Sequence, residues 1–198
     1  MREDKLNTLN LIVKELSVKS VSKLEVPQKD KFIQSSPKEY TLNNGDKVCR
    51  EEITKGGADG SAVIVVPVLG DEILTVIEPR VFTELTVGVG FPAGYLNPNE
   101  PPVESAKREL REETGCVASE FVELDSFYQD EGCSSALNRI YLAFGCEKKF
   151  EQDLDQDEYI QCMSFNYDEL LELEALGYIK GANSKLAIVR MEKYFKRK

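Results

Sequence analysis

The sequence predicts an α+β layered domain with a small N-terminal β extension. Three observations carry this. Ser61–Leu69 is an almost continuous β-branched and apolar run, as a central strand buried on both faces requires. Val103–Thr114 lacks Gly, Pro and aromatic residues, is rich in helix formers, and is followed by Gly115. Strand-like runs around these two, with two helical segments at the C-terminus, complete the pattern of packed layers.

Residues 1–57 are polar and Lys-rich, and read as a β-rich extension that supplies a dimerisation region; 58–198 form the main domain. Short β-like runs stand near Ser17–Lys23, Lys31–Gln34 and Lys38–Leu42. Asn43-Asn44-Gly45-Asp46 is a turn signal that joins Glu39–Leu42 to Lys47–Ile53 as a hairpin. One hairpin is marginal alone and needs something to pack on. After Ser61–Leu69, the Gly70-Asp71 turn leads to a strand at Glu72–Glu78, and Thr83–Val89 is a third extended stretch. Pro101 and Pro102 suit the entry to the helix, where a missing N–H costs nothing. Strands are expected near Val117–Asp125, Leu137–Phe144 and Tyr159–Phe165. Helices are expected at Tyr167–Leu176 and Ser184–Arg197, separated by Gly177 and Gly181.

Composition bounds the chemistry. A net charge of −10 over 198 residues argues against a nucleic-acid-binding surface, though metal ions can make a small anionic ligand welcome. The five cysteines are scattered, with no CxxC spacing, which fits a reducing cytoplasm better than a disulfide scaffold. The N-terminus has no signal-peptide pattern, and Ala62–Leu69 is too short to span a membrane. There is no histidine, so Ser-His-Asp and Cys-His hydrolysis and a His-ligated zinc are excluded. Carboxylates, Lys, Tyr, thiols or a metal must carry any catalysis.

Glu109, Glu112 and Glu113 stand at i, i+3 and i+4, so a helix puts all three carboxylates on one face. Such crowding calls for a cation, and a hard divalent ion with oxygen ligands is the natural one. The bland alternative is a solvated acidic face. Against it stands the full pattern of Gly94, Glu100, Arg108, Glu109, Leu110, Glu112, Glu113 and Gly115. This spacing resembles the signature of the Nudix hydrolase family, with Cys116 departing from the aliphatic final position. The segments Gly57–Gly60, Phe91-Pro92-Ala93-Gly94, Gln129–Gly132 and Asp155–Ile160 resemble the ADP-ribose pyrophosphatase and nucleoside-diphosphate-sugar hydrolase branch.

The resemblance implies an α/β/α sandwich around a mixed sheet and a Mg²⁺-dependent (or Mn²⁺-dependent) hydrolase of a nucleoside diphosphate sugar. It implies metal ligands at Glu109, Glu112, Glu113 and the Ala93 carbonyl. Arg108 is the charge partner that orients the cluster, and Glu100 supports the loop before the helix. Glu158 is the candidate general base, with Glu112 as its rival. Arg80, Arg50 and Glu51 are candidate substrate contacts. A homodimer that exchanges its N-terminal hairpins is implied as well. Two departures leave the substrate open: Glu131 stands where the family carries Pro, and no Trp is present to stack on a base, leaving Phe32 or Tyr40 for that role. The alternatives are a hydrolase of another nucleoside diphosphate or triphosphate derivative, and a non-catalytic nucleotide-sugar binder.

Overall fold

Strand β3 runs through the middle of the main sheet in a computed structural model that describes residues 1–23, 27 and 31–195. The elements are α1 (Glu3–Leu16), β1 (Ile33–Thr41), β2 (Lys47–Lys55), β3 (Ala62–Leu69), β4 (Glu72–Pro79), β5 (Val87–Gly90) and β6 (Ala93–Tyr95). There follow α2 (Pro102–Thr114), β7 (Cys116–Val117), β8 (Glu120–Tyr128), β9 (Leu137–Phe144), β10 (Glu147–Lys148), β11 (Gln161–Phe165), α3 (Tyr167–Ala175) and α4 (Ala182–Phe195). The seven-stranded sheet has the order β11-β4-β3-β9-β8, with β5 beside β4 and β6 beside β3. The β3–β9 pair is parallel and the other pairs are antiparallel, so the sheet is mixed.

Alternation along β3 builds the layers. Val63 and Val65 pack with Ala106 and Leu110 of α2 on one face. Ile64, Val66 and Val68 face a larger core made with α1, α3 and α4, including Leu9, Leu170, Leu173 and Ile188. The result is the expected α/β/α sandwich. Each such fully buried aliphatic side chain contributes about 1.5–3 kcal/mol.

Helix α1 is the main departure from the sequence reading, which placed only β-like runs in this region. Leu6, Leu9, Val13 and Leu16 recur at helical spacing, a signal obscured by the many polar residues between them. Glu3 and Asp4 in its first turn and Lys14 in its last suit the helix dipole. Lys5 joins α1 to the domain, with its Nζ 2.7 Å from Glu72 and 2.9 Å from Glu169. Ser17–Lys23 is not a strand, because Val18 and Val21 are exposed and among the described residues no strand pairs with it. Leu9→Ala is expected to cost about 2–5 kcal/mol in urea unfolding, as at other fully buried leucines. A loss below about 0.5 kcal/mol, the level of a neutral surface change, would show that α1 is not part of the cooperative core.

Two strand-like runs merge into β1, and Pro37 is tolerated because this two-stranded hairpin has only one partner to satisfy. The third extended stretch is shorter than expected. Residues 80–86 form turns, with Arg80 donating to Thr86 and Thr86 to Thr83, and only Val87–Gly90 joins the sheet. The expected strand over Val117–Asp125 divides into β7 and β8, and β8 has a register shift between Glu123 and Asp125. Gly115 ends α2 in the left-handed conformation (φ 72°), as the sequence predicts. The predicted end of the last helix at Arg197 lies outside the described residues.

Candidate active site

Helix α2 turns its glutamates toward the loop between β5 and the helix. Glu109 and Glu113 are buried and Glu112 is half-buried, so this is not a solvated acidic face. Arg108 gathers the cluster. Its Nη1 donates to Glu109 at 2.7 Å and to Glu112 at 2.9 Å. Its Nε and Nη2 reach Glu100 at 3.1 and 3.2 Å, and Nη2 also donates to the Tyr95 carbonyl at 3.0 Å. Glu100 accepts from the Asn97 amide at 3.1 Å, so the guanidinium fastens the 95–100 loop to the helix. Burial works against the charge of Arg108, but the three carboxylates outweigh it and hold the guanidinium firmly protonated.

The motif glycine has a steric reason. A Cβ on Gly94 would fall inside the carboxylate of Glu109, so only glycine lets β6 lie against that group. On the preceding residue, the Ala93 amide points at Glu113 Oε1 from 3.4 Å. The other oxygen, Glu113 Oε2, is buried with no hydrogen-bond partner. Burial drives Glu113 up to about 9, with Glu78 and Glu109 adding to it, and burial drives Glu109 up to about 7 against the pull of Arg108.

Glu78, Gln152 and Asp153, which the sequence did not assign to the site, complete the surroundings with Glu158. Glu78, at the end of the apolar strand β4, is largely buried and raised above the usual carboxylate range by that burial; Arg80 opposes the shift and Glu158 adds to it. A charged residue in an otherwise buried strand was the available signal. Gln152 donates to the Glu113 carbonyl at 2.6 Å and to the Ile160 carbonyl at 3.3 Å, tying the acidic segment to the end of α2. Asp153 strengthens that tie, its amide donating to the Glu112 carbonyl at 2.8 Å. Glu158 is exposed on this segment, where its Oε2 accepts from the Asp155 amide at 3.1 Å, and it acts electrostatically on Glu78, Glu109 and Glu113.

Arg80 ion-pairs with Glu78 and lines a cavity of ≈ 790 Å³ that also reaches Ala93, Gly94 and Tyr95. Arg50 and Glu51 lie elsewhere. They line a separate pocket of ≈ 350 Å³ with Tyr40, Tyr128 and Cys133, between the β1–β2 hairpin and the 131–135 loop. Phe32 stacks obliquely on Tyr95 at 5.7 Å, close to the larger cavity.

The donor set fits a hard divalent cation. It offers carboxylate oxygens from Glu109, Glu112 and Glu113, an unpartnered buried oxygen on Glu113, and the main chain of Ala93 alongside. Among the described residues no three acidic or thiol groups already converge as a closed cage, because Arg108 draws Glu109 and Glu112 to itself.

The NUDIX domain model matches residues 59–183, a span that holds the sheet, α2 and the acidic segment. The chain belongs to the Nudix family. It is 30% identical over 177 residues to an ADP-ribose pyrophosphatase of Bacillus subtilis (strain 168), covering 89% of this chain and 93% of that one. It is also 33% identical over 141 residues to a methanol dehydrogenase activator of Bacillus methanolicus, covering 70% and 71%. The crystal structure of an ADP compounds hydrolase superposes with a TM-score of 0.72 at 21% identity, over 86% of this chain and 90% of that one. That likeness speaks for the fold. This Nudix hydrolase has five free cysteines, and among its described residues no helix is long and apolar enough to cross a membrane.

Proposed function

We propose that this chain is a divalent-metal-dependent hydrolase of ADP-ribose or a related nucleoside diphosphate sugar, yielding a nucleoside monophosphate and a sugar phosphate. The observation that carries the reading is the buried pair Glu109 and Glu113 under the Ala93–Gly94 strand, with Arg108 holding Glu109 and the Ala93 amide facing Glu113. The similarity to the B. subtilis pyrophosphatase over nearly the whole chain supports the choice of substrate class.

Diphosphates resist water because their oxygens repel an incoming nucleophile. Mg²⁺ or Mn²⁺, when bound, supplies the charge neutralisation that this chemistry needs. Glu109, Glu112, Glu113 and the Ala93 carbonyl are the residues to hold it. Arg108 positions the carboxylates and keeps two of them from swinging apart. Glu158 is the general base in this reading. It is exposed, and Gln152 anchors its segment beside α2. Arg80 holds a diphosphate oxygen from the cavity wall. Glu112 is the rival base, favoured by its place beside Glu109 on the same helix face.

Arg50 and Glu51 contribute substrate contacts across a homodimer in this reading. The β1–β2 hairpin supports it: almost every β1 residue is exposed, including Ile33 and Tyr40, so a second copy has an apolar surface to cover. The free cysteines and the acidic charge agree with a cytoplasmic protein that does not bind nucleic acid.

A panel of ADP-ribose, other nucleoside diphosphate sugars, dinucleotides, coenzyme A and nucleoside triphosphates, scored by kcat/KM with Mg²⁺ and with Mn²⁺, tests the substrate. The expected result is at least about tenfold preference for nucleoside diphosphate sugars, a difference of about 1.4 kcal/mol in transition-state binding. A preference for triphosphates would overturn the assignment.

A further inference from the structure

The large cavity extends past the metal helix to a second feature, the first turn of α4. Gly181, Ala182, Asn183 and Ser184 all line it. The first intrahelical bond of this 14-residue helix is from the Lys185 amide to the Gly181 carbonyl at 3.1 Å. The amides of Ala182, Asn183 and Ser184 therefore precede the helical ladder and carry the positive end of the helix dipole.

Ser184 gives this helix end a reason to be a site. The residue is only 8% exposed, it lines the cavity, and its hydroxyl has no hydrogen-bond partner among the described residues. On the preceding residue, Asn183 Oδ1 is buried without a partner among the described residues. Polar side chains this deeply placed are normally satisfied, so a serine hydroxyl free to donate into the cavity marks a place for an acceptor ligand.

The floor is kept open by glycine. A Cβ on Gly90 would stand 3.0 Å from Ser184 Oγ, and one on Gly88 would stand 2.9 Å from Arg80 Cγ. Positive charge flanks the turn. Lys180 and Arg80 both line the cavity, as do their partners Glu84 and Glu78; Arg80 is firmly paired, whereas among the described residues Lys180 has just a loose 3.7 Å pair with the exposed Glu84. Donor amides, a free hydroxyl and two cations around one concavity are the chemistry of a phosphoryl group.

We propose that the first turn of α4, with Ser184 and Lys180, is a phosphoryl-binding subsite that holds the sugar-phosphate half of the substrate. The assignment of that half rests on the diphosphatase reading above; the affinity for a phosphate monoester does not. Ser184 donates its hydroxyl to a phosphoryl oxygen, the first-turn amides are free to donate because they make no intrahelical bond, and Lys180 closes the site from the loop.

Calorimetric titration of the full chain with ribose 5-phosphate, and with neutral ribose, in the presence of EDTA tests this. The wild type is expected to bind ribose 5-phosphate at least about tenfold more tightly than ribose, and Ser184→Ala is expected to weaken it roughly tenfold, the loss of one charge-assisted hydrogen bond. Lys180→Gln, at an exposed loop position, serves as a second variant that does not touch the helix core, with an expected loss of roughly threefold to tenfold. Equal affinity for ribose, no binding, or wild-type affinity in both variants overturns the subsite. Binding sensitive to Ser184 in a protein that does not hydrolyse ADP-ribose would sink the functional reading and leave the subsite standing. Hydrolysis with binding indifferent to Ser184 and Lys180 would do the reverse.

Discussion

Glu113→Gln is expected to abolish hydrolysis while making the metal-free protein more stable at alkaline pH. The two effects have one origin. Glu113 is buried with one oxygen unpartnered, and that burial pushes its carboxyl up to about 9. Such a group binds a proton in the fold that the unfolded chain releases, so the native state holds more protons than the unfolded state. Stability must then fall as pH rises from the ordinary carboxylate range near 4.5 toward about 9, with Glu109 contributing up to about 7. Gln keeps the shape and removes the titration. Melting curves in EDTA between pH 5 and 9 should show a decline in the wild type that is shallower in Glu113→Gln. Mg²⁺ should raise the wild-type Tm more at high pH than at low pH, because a cation that binds the folded state competes with those protons. Turnover should drop by roughly 10²-fold or more, since even groups behind a metal ligand cost roughly 10–100-fold. Parallel pH–Tm curves for the two proteins, or retained activity, would contradict the assignment.

Gly94→Ala is expected to be the most disruptive single methyl in the site. The added Cβ would occupy the space of the Glu109 carboxylate, which is itself buried and bonded to Arg108. Either the carboxylate leaves Arg108 or β6 moves off α2. The cost is about 1–3 kcal/mol of overpacking, and the pose of a metal-binding group is lost with it. Gly132→Ala is the control, because the nearest atom to its Cβ would be Asp130 Oδ1 at an ordinary 3.6 Å. Unfolding in urea and kcat/KM should both fall for Gly94→Ala and stay near wild type for Gly132→Ala. Equal behaviour of the two would remove the steric reason for a glycine at the motif's first position.

Much of this was legible in the chain because local rules and tertiary demands agree there. Ala62–Leu69 is apolar on both faces since helices cover both, and the run reads directly as a central strand. Helix α2 announces itself through its prolines, its helix formers and Gly115. The glutamate spacing gives the shared face, and an Arg beside it in the motif points to the charge partner that contacts Glu109 and Glu112. What was hidden depends on distant packing. Helix α1 is mostly polar, and its identity follows from the sheet that covers Leu9 and Ile12. Residues 80–86 look extended in composition, but hydrogen bonds between Arg80, Thr83 and Thr86 fold them into turns. Glu78 and Gln152 join the site only because β4 and the 152–160 segment meet beside α2, and no local pattern encodes that meeting. The separation of Arg50 and Glu51 from Arg80 within one chain is of the same kind, since a hairpin's direction is set by what it packs on.

The most direct measurement is product analysis of ADP-ribose incubated with Mg²⁺ and either wild type or Glu112→Gln. Glu112 is half-buried and bonded to Arg108 at 2.9 Å, so the amide should fold like the wild type. The account predicts AMP and ribose 5-phosphate from the wild type, and a fall of roughly 10²-fold or more in the variant. Equal turnover by both proteins would contradict the glutamate cluster as the metal-binding centre, and the absence of these products from the wild type would contradict the proposed reaction.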